Sequence, residues 1–353
     1  VTFSDHFKRL MRKTQVHPLT GNDHVHNRLL HSLEVASVGR SIASAVYHRL
    51  SKEIVLPIDN VYEFSSIVQS ACLAHDLGNP PFGHTGEEAL KEWFRDQRDL
   101  ADAVGKSYSD FTRYDGNASS FRIICGFTDD INTGIKLTLP AIGAMIKYPW
   151  HSTDLKKADK DKFSFFESNR SDAAAIMNAL GCVDKKSGSF LRHPLSYLSE
   201  AADDICYSLL DIEDAVALKI VDENTVFELY KDYGISEKNV SHARSRLIGR
   251  WIEEVAENFI TYYDQIMAGE KVDLTKGLDT KKATDFAREH IYLDDHTANL
   301  MIGAYDIYAR VLGTYVPAVF HQWQKRASYN ENYILKHMEK TFLPQGYRDK
   351  DLY

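Results

Sequence analysis

Apolar residues recur at helical spacing along most of the chain. From Arg28 to Leu50, the positions His31, Val35, Val38, Ile42 and Val46 fall at steps of three and four, one stripe of an amphipathic helix that begins on a histidine. A second helix is predicted over about 61–77, with Val68, Ala71, Cys72 and His75 on its apolar face and Gly78, Pro80 and Pro81 to stop it. A third, over about 194–218, carries Leu195, Leu198, Ala202, Ile205, Leu209, Ile212 and Val216. Shorter helical patterns cover 41–52, 135–147, 172–180, 240–270 and 296–325, while 17–27, 78–86, 100–120, 149–170 and 182–193 read as loops. The run Lys156–Lys162 (KKADKDK) reads as a solvated loop. Period-two alternation is brief, so the expected fold is mainly α. Neither a repeat nor a linker stands out, which favours one domain with insertions over two.

Composition narrows the class. With 353 residues, 26% charged and 44% hydrophobic, the chain is neither disordered, collagen-like nor a disulfide scaffold. It is long enough to bury a core without a metal staple, so a metal site calls for a chemical reason. A net charge of -8 argues against a nucleic-acid coat but leaves room for a local basic pocket. Cys72, Cys125, Cys182 and Cys206 are far apart and form no C-x-x-C pair, the pattern of reduced thiols in a cytosolic protein. No apolar run reaches the ~18 residues of a membrane span and no signal-peptide pattern opens the chain, so the expectation is a cytoplasmic protein with no membrane partner. A first residue of Val rather than Met predicts a further N-terminal stretch.

Two motifs fail on inspection. Val104-Gly105-Lys106-Ser107 resembles the end of a phosphate-binding loop, but Leu100 stands where the pattern needs Gly. His24-Val25-His26 reads as an exposed polar loop rather than a ligand pair. The surviving constellation centres on His75-Asp76. His75 lies on the buried stripe, and Asp76 sits just before the helix breaks, where a carboxylate is costly unless paired or bound to a cation. His31 lies on the apolar stripe of another helix and Asp203 in an Ala-rich part of a third. Two imidazoles and two carboxylates suit Mn, Fe, Co or Ni and tolerate Mg, leaving two positions of a six-coordinate ion open. Arg28, three residues before His31, puts a cation beside the set, and a guanidinium matches phosphate through its planar fork.

Longer blocks carry a family resemblance. Arg28-Leu29-Leu30-His31-Ser32-Leu33-Glu34-Val35 and Ala74-His75-Asp76-Leu77-Gly78-Asn79-Pro80-Pro81-Phe82-Gly83-His84 resemble the two halves of the HD-domain phosphohydrolase signature. Arg192-His193-Pro194-Leu195 and Glu200-Ala201-Ala202-Asp203-Asp204-Ile205-Cys206-Tyr207-Ser208 resemble the bacterial deoxyguanosine triphosphate triphosphohydrolases within that superfamily. Lys13-Thr14-Gln15-Val16 and Gly116-Asn117-Ala118-Ser119-Ser120-Phe121-Arg122 fit the same family, so the matching blocks span roughly residues 8–216.

The resemblance implies an all-α fold: a multi-helical HD core over 1–220, with helical insertions, and a helical C-terminal part over 221–353 packed on it as one unit. It implies one divalent ion per subunit (Mn, Mg, Co or Ni) held by His31, His75, Asp76 and Asp203. It further implies His84 and Glu87 as catalytic groups, His84 acting as general acid or as nucleophile at the start of a helix whose capping box runs from Thr85 to Glu88. Tyr207 and Asp211, which follow Asp203 at steps of four, would contact the deoxyribose, and Gln15 the sugar or base. Arg28, Lys147, Tyr148 and Lys162 would bind phosphate. Asn79, counted with the substrate-binding residues, occupies a position where some relatives carry another His. The implied activity is hydrolysis of dGTP to deoxyguanosine and triphosphate. Alternatives are a broad dNTPase, a 5'-nucleotidase, a guanosine tetraphosphate hydrolase, or a nucleotide-sensing or single-stranded nucleic-acid-binding protein. A homo-oligomer, possibly a hexamer, and binding to single-stranded DNA are further implications.

Overall fold

The stripe that begins at His31 folds as one 23-residue helix, and the 41–52 pattern is its second half rather than a separate element. The computed structural model describes residues 1–13, 25–126, 134–154, 162–237, 239–290 and 295–341. In chain order the helices are α1 Asp5–Arg9, α2 Arg28–Leu50, α3 Val61–Ala74, α4 Gly83–Arg95, α5 Arg98–Val104, α6 Tyr108–Thr112, α7 Gly116–Cys125 and α8 Leu139–Met145. They continue with α9 Arg170–Ala179, α10 Ser196–Ala217, α11 Glu223–Asp232, α12 Val240–Thr261, α13 Tyr263–Met267, α14 Thr280–His290, α15 Asp295–Trp323 and α16 Tyr329–Thr341. Isolated bridges join His151 with Phe165 and Val183 with Phe190, and among the described residues there is no extended strand. The fold is all-α, as expected, and no described helix is long and apolar enough to cross a membrane.

Local chemistry sets the ends that matter. The Asn27 side chain accepts from the backbone N–H groups of Leu29 and Leu30, so Asn27 caps α2 and the helix starts at Arg28. Helix α2 then lies between α3, α10 and α12. Gly39 permits the closest approach: a Cβ there would stand 2.5 Å from the Cys72 sulfur. Val35, Ile42 and Val46 of α2 meet Val68, Ala71 and Cys72 of α3 and Ala202, Ile205 and Leu209 of α10 in one buried cluster. Cys72, Cys182 and Cys206 are buried free thiols and Cys125 is half-buried.

Several sequence-based expectations are corrected. Helix α3 ends at Ala74 rather than near 77, which puts His75 and Asp76 in the turn after it. The predicted loop 100–120 holds most of α5, a 3-10 turn at Gly105–Ser107, α6 and half of α7. These pieces are too short for a 3.6-residue period to show in sequence. Helix α4 opens at Gly83 inside the predicted loop 78–86. Its N-cap is Phe82 with no side-chain hydrogen bond, so the predicted capping box at Thr85–Glu88 does not form. Phe82 and Gly83 both have positive φ, the tight turn that delivers His84 into the first turn of α4. Helix α15 covers α4 from outside, and the Tyr308 hydroxyl donates to the Pro81 carbonyl at 3.1 Å.

The expectation of an exposed His24-Val25-His26 fails at His26; His24 and most of the KKADKDK run lie outside the described residues. His26 is buried, with Nδ1 2.6 Å from an Asp214 oxygen and Nε2 3.5 Å from Glu34, and its backbone N–H also donates to Asp214. Glu34 and Glu213 share Arg244 of α12. This buried ion cluster ties the strap before α2 to α10. Burial works against a charged His26, but the Asp214 and Glu34 carboxylates outweigh it and lift its pKa from 6.5 to about 10. A raised folded pKa stabilises fully below the unfolded value and ceases to do so as pH climbs through the folded one. His26→Gln is therefore expected to cost about 3–5 kcal/mol below pH 6.5, the usual cost of breaking a buried pair. The gap between parent and variant should close as pH rises from 6.5 to 10 in urea titrations; a gap independent of pH would show that His26 is not charged in the fold.

Candidate metal and phosphoryl-transfer site

Three helices bring the predicted ligands together. His31 comes from the first turn of α2, His75 and Asp76 from the turn after α3, and Asp203 from the middle of α10. Ligand atoms of His31, His75 and Asp76 lie within 4.8 Å of one another. Asp203 joins them through both rings, its Oδ1 standing 3.2 Å from His31 Nε2 and 3.5 Å from His75 Nε2. The two imidazoles meet edge to face with ring centroids 5.3 Å apart.

Each carboxylate is divided between two duties. Asp76 Oδ2 accepts from Arg28 at 2.7 Å while Oδ1 faces His75 at 3.5 Å and accepts from the Asn79 amide. Asp203 Oδ2 accepts from Lys147 at 2.7 Å while Oδ1 faces both rings. Burial pushes the Asp76 carboxyl up, but Arg28 and the two imidazoles outweigh it and hold it at about 2. Burial likewise opposes ionisation of Asp203, and Lys147 with His75 overrides it, so that group is held well below the usual carboxylate range.

The donor set fits a divalent cation. His75 Nδ1 donates to the Cys72 carbonyl at 2.6 Å, and because a carbonyl only accepts, that bond fixes the proton on Nδ1 of the neutral ring and leaves Nε2 as a lone pair. His75 Nε2 and His31 Nδ1 are buried with no hydrogen-bond partner among the described residues. A lone pair on His75 Nε2, 3.5 Å from oxygens of both Asp76 and Asp203, is repelled unless positive charge lies between them. In the absence of a cation, burial lowers the His75 pKa, yet Asp76 and Asp203 more than reverse this and raise it to about 9, because the two carboxylates favour positive charge beside them.

A second pair stands beside this set. His84 Nδ1 is 3.0 Å from Glu87 Oε2, and the two differ sharply in exposure: the His84 side chain is 81% accessible and that of Glu87 2%. Glu87 also accepts from the Gly116 N–H at 2.8 Å and lies 3.4 Å from Lys162 Nζ. Burial would raise its pKa, but the His84 hydrogen bond, Lys162 and Gly116 hold it at about 2. A first-turn dipole role for Glu87 does not account for these bonds. The His–Glu pair and the metal set are joined through Gly116, where a Cβ would stand 2.4 Å from Asn79 Oδ1 and 3.0 Å from Glu87 Oε1. They are joined again through Gly83, where a Cβ would come within 2.7 Å of the Arg28 guanidinium.

The other predicted residues divide. Lys147, Tyr148 and Lys162 line one cleft of about 800 Å³ with Trp150, Phe190 and Asp204. Lys162 also approaches the buried Asp115 at 3.6 Å. Tyr207 is exposed and Asp211 buried on α10. The Asn79 amide donates to Asp76 Oδ1. Gln15 lies outside the described residues.

Sequence reasoning missed the groups that hold the turn. Ser120 of α7 donates to the His75 carbonyl at 2.7 Å and accepts from Gly78 N–H at 2.9 Å, and Tyr114 donates to the Gly78 carbonyl at 2.8 Å. Lys13 Nζ donates to the carbonyls of Leu77 and Asn79 at 3.3 and 2.5 Å. The signal was the Gly116–Arg122 block, whose neighbourhood reads as loop because α7 is short.

The HD domain family matches residues 28–132. A deoxyguanosinetriphosphate triphosphohydrolase-like protein of Pseudomonas aeruginosa is 35% identical over 351 residues, covering 92% of this chain and 79% of its own. A protein of the same description from Synechocystis is 34% identical, covering 76% of this chain and 67% of its own. A deoxyguanosinetriphosphate triphosphohydrolase of Klebsiella pneumoniae is 32% identical, covering 72% and 58% respectively. The similarity thus extends beyond the blocks at 8–216 into the C-terminal part. Removing the amide that holds Asp76 is expected to weaken binding of a divalent ion about 10–100-fold, the usual cost of losing a partner of a metal ligand. Titration of Asn79→Ala with Mn followed by electron paramagnetic resonance measures this; unchanged affinity would detach Asn79 from the ion.

Proposed function

The chain belongs to the deoxyguanosinetriphosphate triphosphohydrolase-like family of HD-domain proteins, and from that membership we propose that it hydrolyses deoxynucleoside triphosphates, dGTP first among them, to nucleoside and inorganic triphosphate. The observation that carries the proposal is the adjacency of two devices. An imidazole–carboxylate cluster suited to a divalent cation lies beside an exposed histidine backed by a buried, ionised glutamate.

His31, His75, Asp76 and Asp203 would hold the cation, which when bound supplies Lewis acidity and neutralises phosphoryl charge. The remaining chemistry falls to side chains. Arg28, Lys147, Tyr148 and Lys162 bind phosphoryl oxygens, the guanidinium through paired N–H groups. Tyr207 and Asp211 face the deoxyribose. Water adds to the α-phosphorus, the bond to the 5' oxygen breaks, and that oxygen takes a proton from His84 Nε2. Glu87 accepts from His84 Nδ1–H, which aims Nε2 outward and stabilises the imidazolium that delivers the proton. The buried carboxylate keeps its charge because Gly116, Lys162 and His84 all stabilise the ionised form. Homo-oligomerisation belongs to the same proposal: α15 leaves Ile302, Tyr305, Ile307 and Val311 exposed.

Incubation of the purified protein with each dNTP and Mn or Mg, resolved by chromatography, tests the reaction. Nucleoside with triphosphate supports it. Orthophosphate would mark a nucleotidase, and pyrophosphate with loss of a 3' group a different hydrolase. His84→Ala is expected to lower kcat by about 10²–10⁴-fold with little change in Mn affinity. Full turnover by that variant would remove His84 from the chemistry.

A further inference from the structure

The turn that carries the chain from the metal-ligand cluster to His84 is held carbonyl by carbonyl. Lys13 Nζ donates to the carbonyls of Leu77 and Asn79, the Tyr114 hydroxyl to Gly78, and the Gly83 N–H to Pro80. The Tyr308 hydroxyl donates to Pro81 and the Gly86 N–H to Phe82, so each carbonyl from Leu77 to Phe82 has a donor. Of the donors named, Tyr308 alone comes from beyond residue 220, from the middle of α15.

The Pro81 carbonyl belongs to the peptide unit that leads into Phe82, a bulky residue at φ 63°. That unit is planar, so its oxygen and the Phe82 N–H turn together, and holding the oxygen fixes the entry to Phe82. A large side chain at positive φ is strained and persists only where its surroundings hold it. Gly83 continues the left-handed turn, and His84 follows at once in the first turn of α4. Rotation of the Pro81–Phe82 peptide would release that strain and re-aim His84.

Gly86 gives Tyr308 its access. A Cβ there would stand 2.0 Å from the Pro81 oxygen and 2.9 Å from the Tyr308 hydroxyl. Burial, with Tyr114 and Glu87 close by, pushes the Tyr308 pKa up, so the phenol keeps the proton that it donates. His84, by contrast, is exposed on a cleft of about 710 Å³ that shares Lys162 with the 800 Å³ cleft. Packing does little to fix an exposed ring, so its aim depends on the Glu87 bond and on the backbone that presents it.

Resting on the proposed reaction, in which His84 delivers a proton, we infer that Tyr308 is a positioning residue for that step. Its hydroxyl locks the Pro81–Phe82 peptide and through it the direction of the His84 ring. The C-terminal part of the chain thereby acts on the chemistry through the backbone of the turn.

Tyr308→Phe removes the hydroxyl and keeps the ring, and Tyr329→Phe, at an exposed side chain of α16, is the control. Steady-state hydrolysis of dNTPs is compared in the parent, both variants, His84→Ala, and His84→Ala combined with Tyr308→Phe. Tyr308→Phe is expected to lower kcat about 10–100-fold, the scale of a misplaced reacting group, with KM and Mn affinity retained. In the His84→Ala background it should cost nothing further, because the group that it aims is gone. Tyr329→Phe should match the parent. Full kcat in Tyr308→Phe, or an equal fractional loss with and without His84, would overturn the inference. A second measurement needs no turnover. In protein carrying carbon-13 in its histidine rings, the His84 resonance is the one missing from His84→Ala. Tyr308→Phe is expected to shift that resonance and Tyr329→Phe to leave it in place; an unmoved resonance in Tyr308→Phe would overturn the inference. Should the parent turn over no dNTP, the proposed reaction fails, while the resonance still decides whether Tyr308 aims His84.

Discussion

Two carboxylates, Asp76 and Asp203, are drawn out of water at the point where α2, α3 and α10 converge, and the surrounding structure is arranged to keep them charged. An ionised carboxylate in that setting costs several kcal/mol unless each oxygen is matched. The outer oxygen of each meets a basic side chain, Arg28 or Lys147, and the inner oxygen meets imidazole. The division leaves an electronegative locus bounded by fixed groups, and the same locus raises the His75 pKa to about 9. The candidate ligand set is thus held in place as much by Arg28, Lys147 and Asn79 as by its own four residues.

Close backbone approach is what joins the imidazole–carboxylate cluster to the His84–Glu87 pair. Gly78, Gly83 and Gly116 each stand where a Cβ would strike a neighbour: the Ser120 backbone at 2.1 Å, Arg28 at 2.7 Å and Asn79 at 2.4 Å. Their absence of side chains lets α7, the turn after α3 and the start of α4 share one small volume. Asn79, which orients Asp76, and Glu87, which orients His84, then bracket a single glycine. Displacement of α7 would therefore disturb the metal set and the His–Glu pair together.

The two members of that pair divide rigidity from access. Glu87 is enclosed and hydrogen-bonded on both oxygens, so its position and charge are held by the fold. His84 is exposed, so its free ring nitrogen faces a cleft that a substrate can enter. Lys162 lies between Glu87, Asp115 and both clefts. The long cover of α15 on α4 stabilises the outer wall without closing it.

The chain's own order of residues determined the all-α class, the three long helices and the choice of His31, His75, Asp76 and Asp203 as a candidate ligand set. Those features are carried by 3.6-residue periodicity over many turns and by histidines interrupting an apolar stripe, both local signals. Only the tertiary structure decided the rest. Whether His26 is exposed or buried against Asp214, and how Ser120, Tyr114 and Lys13 hold the turn, are contacts across 36–188 positions of sequence. The short helices α5 to α7 stayed hidden because five to ten residues complete too few turns to show a period, and such segments form through packing rather than propensity. The joining of the imidazole–carboxylate cluster to the His84–Glu87 pair depends on glycines whose meaning appears only when another backbone arrives against them.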